Sequence, residues 1–152
     1  MVYRHILLAS GGAEHSRKAE AKAVALAKRL EVNLSLISVA RHQATLMAVG
    51  GNLEYVGDHE LYLQELAAQQ EKQAQLLKEA EERCIAHGLR PSTYLRSGNA
   101  GKQIVETATE LSCDLVVVGS RQLSILGTMT QGSVSDYVMR HAPCDVLIVH
   151  KV

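Results

Sequence analysis

Aromatic side chains and unbalanced charge are scarce in this sequence of 152 residues. It contains no phenylalanine and no tryptophan, so five tyrosines make up its aromatic content. Proteins that bind single-stranded nucleic acids stack the bases on aromatic side chains, and few are available here. Sixteen lysines and arginines balance sixteen aspartates and glutamates, so no net charge attracts the molecule to a polyanion. The composition therefore disfavours a nucleic-acid partner.

Long apolar runs are also missing from the sequence. No window approaches the roughly 20 apolar residues of a membrane-spanning helix. The N-terminus leads directly into a strand pattern at His5–Ala9, without the charged segment and apolar stretch of a secretion signal. We therefore expect a cytoplasmic protein without a membrane partner.

The cysteines and histidines do not form a recognisable site. Cys84, Cys113 and Cys144 are odd in number and widely spaced, which argues against a disulfide framework and a CxxC-type metal site. We interpret them as small core residues. The seven histidines are scattered, and no HExxH or comparable ligand pair occurs. No metal site is predicted.

Apolar and amphipathic segments alternate along the whole chain without a linker rich in Pro, Gly or Ser. Residues 1–152 are therefore predicted to form a single domain. Short apolar runs predict five strands, at His5–Ala9, Asn33–Ala40, 92–96, 114–119 and Asp145–His150. Helical periodicity predicts four helices between the strands, from 14 or 16 to 30, at 60–87, at 101–111 and at 132–141.

This order of elements predicts the fold class. Strand-helix-strand units of this length close right-handed onto a parallel sheet, so we expect a three-layer α/β fold with an open, doubly wound sheet. Residues 41–58 are predicted to form a long, irregular loop, either a lid over a binding cleft or a disordered connection. The longest helix should end at Gly88 and expose its glutamine-rich segment 69–75, with a coiled coil as the alternative.

Two loops follow strands at the sheet edge where such folds bind ligands. One comprises residues 10–14, and the other runs from Gly119 to Ser133. The second is rich in glycine and serine and leads into a helix N-terminus, which together suit a phosphate. The alternative is that Gly119 only ends a strand and Ser133 only caps a helix. A third segment, GNAGKQ at 98–103, lacks the spacing of a P-loop and is interpreted as a helix start.

Four segments carry a resemblance to a known family. They are the opening HILLASGGAEHS, the fourth strand DLVVVGS, the spacing Gly119-x2-Gln122-x9-Gly132-Ser133, and the closing SVSDYVMRHAPCDVLIV. Over essentially its whole length the chain resembles the universal stress proteins. Nucleotide-binding members of that family carry Gly-x2-Gly-x9-Gly-(Ser/Thr) after the fourth strand, and the spacing here is complete.

The resemblance implies an adenine-nucleotide alpha-hydrolase-like fold, with five parallel strands in the order 3-2-1-4-5 and four helices. It also implies a site for ATP or AMP at the carboxyl end of the sheet, with the part of Mg²⁺ left open. Adenine and ribose would contact the first two strands, at Ala9, Ser10, Gly11 and Val39. The remaining contacts, mostly to phosphate, would come from Val118, Gly119, Arg121, Gln122, Gly132, Ser133, Val134 and Ser135.

Two positions depart from the family pattern. Gly11 stands where nucleotide-binding relatives usually carry an aspartate, so a carboxylate for the sugar, base or metal is missing. Gln122 stands where the motif has its second glycine, and its side chain occupies space near the phosphates. Arg121 offers a compensating cation, or it is a solvated loop residue.

The sequence thus predicts a stress-response regulatory module that binds an adenine nucleotide and is not an enzyme, with slow ATP hydrolysis left open. The alternative is a dimeric interaction protein whose degenerate site binds no nucleotide. A homodimer through the strand Asp145–His150 fits both hypotheses, because an apolar edge strand requires cover. A flavin site is disfavoured because aromatic residues are scarce.

Overall fold

Strands and helices alternate along the part of the chain that the computed structural model describes, residues 2–11, 14–40, 46–49, 52–55, 59–120 and 133–150. The boundaries lie close to those predicted. The strands are β1 (His5–Ala9), β2 (Asn33–Ala40), β3 (Leu46–Val49), β4 (Asn52–Tyr55), β5 (Ser92–Ser97), β6 (Leu115–Ser120) and β7 (Asp145–His150). The helices are α1 (Glu14–Leu30), α2 (His59–Ala86), α3 (Ala100–Glu110) and α4 (Ser133–His141).

Five of the strands form one parallel sheet in the order β5-β2-β1-β6-β7. Numbered among themselves, these strands follow the predicted order 3-2-1-4-5, so the fold class is confirmed. The central strand β1 pairs with β2 on one side, where Leu8 lies opposite Leu36. On the other side it pairs with β6, where Leu8 lies opposite Val117. The order in which the chain adds strands to the sheet therefore changes direction between β1 and β6.

Both faces of the sheet are covered by helices. Ile6 and Leu8 face a core that includes Ala23 of α1 and Leu77 of α2. Leu7 faces the opposite core, with residues of α3 and α4 such as Ile104 and Val138. Alternate side chains of a strand point to opposite faces, so a strand buried on both faces must be apolar at every position. This arrangement explains the continuous apolar run in β1.

The cysteines lie in these cores, as predicted. Cys84 is a residue of α2 and packs in the core that α1 and α2 cover, and Cys113 packs in the core that α3 and α4 cover. Burial raises the pKa of Cys84 to about 11 and that of Cys113 to about 12. The half-buried Cys144 packs against the same core as Cys113, and burial raises its pKa as well. The thiolate is the form that reacts and binds metals, so these protonated thiols act as packing groups.

The prediction for residues 41–58 was wrong in part. β3 and β4 form an antiparallel two-stranded sheet in which Leu46 lies opposite Tyr55 and Val49 lies opposite Asn52. The sequence carried a signal for this hairpin, because two short runs separated by two glycines are typical of a tight β-turn. Residues 41–45, 50–51 and 56–58 lie outside the described residues.

The long helix α2 ends as predicted. Gly88 has a φ of +85°, the left-handed conformation that glycine adopts without strain. Its N–H donates to the carbonyl of Ile85, and the N–H of Leu89 donates to the carbonyl of Cys84. The buried face of α2 lies on β2 and β5. Among the described residues, none of the helices has an apolar stretch long enough to cross a membrane.

The prediction that segment 69–75 of α2 faces solvent was also wrong in part. Gln70 Nε2 donates to Ser97 Oγ at 3.0 Å. Ser38 Oγ donates to Gln73 Oε1 at 2.6 Å. These two glutamines therefore hold α2 against the ends of β5 and β2, while their neighbours on the helix are exposed.

Asp114 connects the starts of β1 and β6, at the edge of the sheet where the strands begin. Its carboxylate accepts the N–H of Arg4 at 2.8 Å and that of His5 at 3.0 Å. Partial burial raises the pKa of this carboxyl, but the N–H donors of His5 and Arg4 outweigh it and the net pKa lies below its ordinary value. The ionised carboxylate therefore stabilises the start of β1.

Replacing this carboxylate should destabilise the protein in a pH-dependent way. Asp114→Ala is expected to lower the free energy of unfolding by about 1 kcal/mol at neutral pH, because the site is partly exposed. The folded pKa is depressed, so the stabilisation is present above the unfolded pKa of about 3.9 and is lost as pH falls through the folded value. Urea unfolding followed by circular dichroism across this range measures the difference. The exposed Glu106→Ala serves as the control. If Asp114→Ala lowers the free energy of unfolding by the same amount in acid as at neutral pH, the role given to the Asp114 carboxylate is contradicted.

Candidate functional site

The carboxyl ends of three adjacent strands define the candidate site. β1 ends at Ala9, between β2, which ends at Ala40, and β6, which ends at Ser120. The order in which the chain adds strands to the sheet reverses between β1 and β6. The helix that follows β1, α1, and the helix that follows β6, α4, therefore pack on opposite faces of the sheet. In open α/β sheets a crevice forms at this point, and it is where ligands bind.

Ser10 and Gly11 form the described part of the loop after β1. Ser10 is buried, and its N–H donates to the carbonyl of Ile37 at 2.8 Å, which extends the ladder between β1 and β2 by one residue. Gly11 is exposed. Among the described residues, a Cβ added to Gly11 would have one neighbour within 4 Å, Ser16 Oγ at 3.9 Å, which is an ordinary contact. The described residues therefore leave room for a side chain at Gly11.

The β2 side of the site is held in place from outside the sheet. Val39 is half-buried near the end of β2. The carbonyl of its neighbour Ala40 accepts the N–H of Gly98 at 3.0 Å, and Ser38 is bonded to Gln73 of α2. The β2 side of the site is therefore held by hydrogen bonds to the segment after β5 and to α2.

The sequence did not identify Gln70 and Gln73 as residues that support the site. The signal lies in their spacing, because they continue the buried series of Leu77, Ala80 and Cys84 at intervals of three and four residues. A polar residue at a position where the pattern requires a buried one indicates a hydrogen bond to the sheet.

The β6 side of the site is formed by a strand end and a helix start. Val118 is buried, whereas Gly119 and Ser120 are half-buried at the end of β6. α4 begins at Ser133, with Val134 half-buried and Ser135 buried. A short connection leads from α4 into β7, so α4 runs antiparallel to the strands and its N-terminus lies toward the carboxyl edge. The first turn of a helix presents backbone N–H groups and a partial positive charge.

The structure thus brings together the described members of the predicted site, namely Ala9, Ser10, Gly11, Val39, Val118, Gly119, Val134 and Ser135. Arg121, Gln122 and Gly132, together with the side chain of Ser133, lie outside the described residues. Their roles remain predictions.

The chemistry of the described site residues is that of a binding site. All eight are uncharged, and they offer backbone groups, two hydroxyls and apolar surface. Within the described parts of the chain, no group of three His, Cys, Asp or Glu side chains could hold a metal ion. Uncharged groups of this kind can enclose a purine and bind an anion through N–H groups.

The sheet topology defines the chain as a doubly wound α/β protein with a candidate site at the switch point, and comparison identifies its family. The model of the universal stress protein family matches residues 2–150. Universal stress protein YxiE of Bacillus subtilis (strain 168) is 32% identical over 149 residues, covering 97% of this chain and 99% of that protein. The chain belongs to the universal stress protein family, which confirms the predicted resemblance.

Solved structures share the fold at lower sequence identity. Universal stress protein UspA from Lactobacillus plantarum has a TM-score of 0.79 and 20% identity, covering 97% of both chains. A family protein from Arabidopsis thaliana, solved with AMP bound, has a TM-score of 0.67 and 18% identity, covering 97% of this chain and 91% of that one. A universal stress protein from Archaeoglobus fulgidus in complex with dAMP has a TM-score of 0.62 and 17% identity, covering 98% and 99%.

The open space at Gly11 leads to a stability prediction. Gly11→Asp is expected to change the free energy of unfolding by less than about 0.5 kcal/mol, because its Cβ meets no close neighbour among the described residues. Gly101→Asp is the matched control. Gly101 is buried, and a Cβ there would lie 2.9 Å from Tyr137 Cδ1, so a loss of more than about 2 kcal/mol is expected. Urea unfolding measures both variants, and a large loss in Gly11→Asp would show that the space is filled.

Proposed function

We propose that this protein binds an adenine nucleotide, ATP or AMP, at the carboxyl ends of β1, β2 and β6. The observation that carries the proposal is the space that the described residues leave at Gly11, directly beside the switch point between β1 and β6. A nucleotide site requires such a space, whereas a degenerate site would be filled by side chains. The AMP and dAMP complexes of structurally similar proteins support the same ligand class.

The adenosine part of the ligand would lie over the ends of β1 and β2. Val39 offers half-buried apolar surface for the base, and Ala9 supplies a small neighbour on the central strand. Gly11 lets the ribose approach the backbone closely. A hydrogen bond from Ser38 to Gln73 and one from Gln70 to Ser97 hold the β2 side of the site before the ligand arrives, which lowers the cost of ordering it on binding.

The phosphates would lie between the end of β6 and the start of α4. Gly119 offers its backbone, and the first turn of α4, beginning at Ser133, offers its helix dipole. Asp136 in this turn is exposed, and its carboxylate lies 3.3 Å from Arg140 Nε one turn further on, so the pair is close to neutral. Arg121, Gln122 and Gly132 complete the predicted contacts.

We propose that nucleotide binding serves regulation and not catalysis. Hydrolysis of ATP requires a positioned water and a group that accepts its proton or a metal ion that activates it. None of the site residues that the structure describes is a carboxylate, a histidine or a lysine. Binding would therefore change which surfaces the protein presents, and no residue is assigned a catalytic role.

Calorimetric titration of nucleotide-free protein with ATP, ADP and AMP tests the nucleotide proposal. We expect saturable binding with micromolar affinity, lost in Gly132→Val because a side chain there would occupy the phosphate cradle. Gly11→Asp should strengthen binding by about tenfold, since a carboxylate can accept a hydrogen bond from the ribose. Gly11→Asn is the matched control without the charge and should gain less.

Titrations with and without magnesium show whether a metal ion contributes. The absence of heat with every nucleotide up to millimolar concentration would contradict the proposal. It would favour the second candidate function, a dimeric interaction protein without a nucleotide.

The edge strand β7 favours a homodimer under either candidate function. β7 lies at the edge of the sheet, and Val146, Leu147 and Ile148 are half-buried. The opposite edge strand, β5, carries more polar residues, among them Ser92, Thr93 and Arg96. An apolar edge strand has unpaired backbone groups that a second copy can pair.

Hydrogen exchange combined with light scattering tests this dimer. At high salt, where association through charged surfaces is screened, we expect the mass of two chains, together with protection of the Asp145–His150 amides that depends on protein concentration. A single-chain mass, or a dimer in which the exchange of these amides does not depend on concentration, would contradict pairing through β7.

A further inference from the structure

A groove runs between α1 and α2, apart from the candidate nucleotide site. α1 packs mainly on β6, β7 and β1, whereas α2 packs on β2 and β5, so the two helices diverge. The groove between them has a volume of about 970 Å³. It is lined by charged residues from both helices and by small apolar residues between them.

The charge of the groove is strongly positive. Glu20 is the one acidic residue among the described residues that line it, and its side chain is 8% exposed. Arg83 Nε and Nη2 donate to its two carboxylate oxygens at 2.7 and 2.8 Å, which neutralises it. The other charged lining residues are the cations Arg17, Lys18, Lys28 and Arg29. The groove therefore attracts an anionic partner.

The floor of the groove suits a helix. Ala21, Val24, Ala25 and Ala86 line it between the cations, and such small side chains let a helix backbone approach closely. From Lys18 to Arg29 the groove follows about 16 Å of α1, which is the length of about three helical turns. A fitting occupant is a short amphipathic helix with apolar side chains on one face and carboxylates beside them.

The first turns of α2 are such a helix. Leu61, which is 52% exposed, presents apolar surface, and the acidic Glu65 one turn further along is exposed as well. At 100° per residue, Leu61 and Glu65 lie on the same side of α2 as Arg83 and Ala86, which line the groove, within about 60°. Leu61 and Glu65 thus lie at one end of this side of α2, and the groove residues Arg83 and Ala86 lie at the other end.

We propose that two copies of this chain associate through this side of α2, with the first turns of each helix lying in the groove of the other copy. In an antiparallel pair of α2 helices, the register that sets Leu61 opposite Ala86 also sets Glu65 opposite Arg83 to within one residue. A two-fold axis then repeats both contacts, so the assembly closes on itself. This surface is distinct from β7 and from the nucleotide site, and the proposal depends on neither.

Charge reversal tests this association. The groove variant is Lys28→Glu with Arg29→Glu, and the segment variant is Glu65→Lys. All three residues are exposed, and circular dichroism checks that both variants fold. Each variant alone meets like charges and should associate at least about tenfold more weakly than the native protein in sedimentation at low salt. Mixed together, the two variants place opposite charges at both contacts, so association should return to near the native level.

The control for net charge is Lys22→Glu with Arg90→Glu, two exposed residues that do not line the groove. It should associate like the native protein. Variants that associate like the native protein, or a mixture that does not regain association, overturn the proposal. So does a native protein whose mass stays the same from low to high salt and across concentrations.

Disulfide trapping provides a test that does not depend on charge. Leu61→Cys combined with Ala86→Cys should give covalent dimers on oxidation, because the register sets these positions opposite each other. Leu63→Cys combined with Ala86→Cys is the control, since residue 63 lies about 200° around the helix from residue 61. Equal trapping in both pairs, or none in the first, overturns the antiparallel arrangement.

Discussion

The structure depends on the burial of β1 between β2 and β6. Ile6, Leu7 and Leu8 are completely buried, and they contribute to the cores on both faces of the sheet. Because β1 is central, the strands on its two sides are reached by connections that diverge, and the crevice at its carboxyl end follows from this topology. The packing that stabilises the fold therefore also positions the candidate site.

Much of this could be predicted from the sequence. The strands β1, β2, β6 and β7 are short apolar runs, and such runs between amphipathic helices are typical of a parallel sheet. The sequence positions of the site followed as well, because the carboxyl ends of β1 and β6 carry glycine and serine. The family resemblance then supplied the strand order and the ligand class, which residue patterns alone left open.

The remaining features depend on contacts between distant segments. The sequence pattern predicted that Gln70 and Gln73 face solvent, because their hydrogen bonds to Ser97 and Ser38 join residues far apart in sequence. The β3–β4 hairpin is a local exception, since its two glycines are typical of a tight turn but each strand has only four residues. The groove between α1 and α2 exists because the helices cover different strands, and Glu20 is buried there because Arg83 is available as its partner. Periodicity in a single segment reports none of these pairings.

An NMR titration of ¹⁵N-labelled protein with AMP tests the central claim most directly, since it locates the ligand residue by residue. The account predicts saturating amide shifts at the ends of β1, β2 and β6 and at the start of α4, led by Gly11, Val39, Gly119 and Val134. Shifts that are absent at millimolar AMP, or that are confined to α1 and the end of α2, would contradict it.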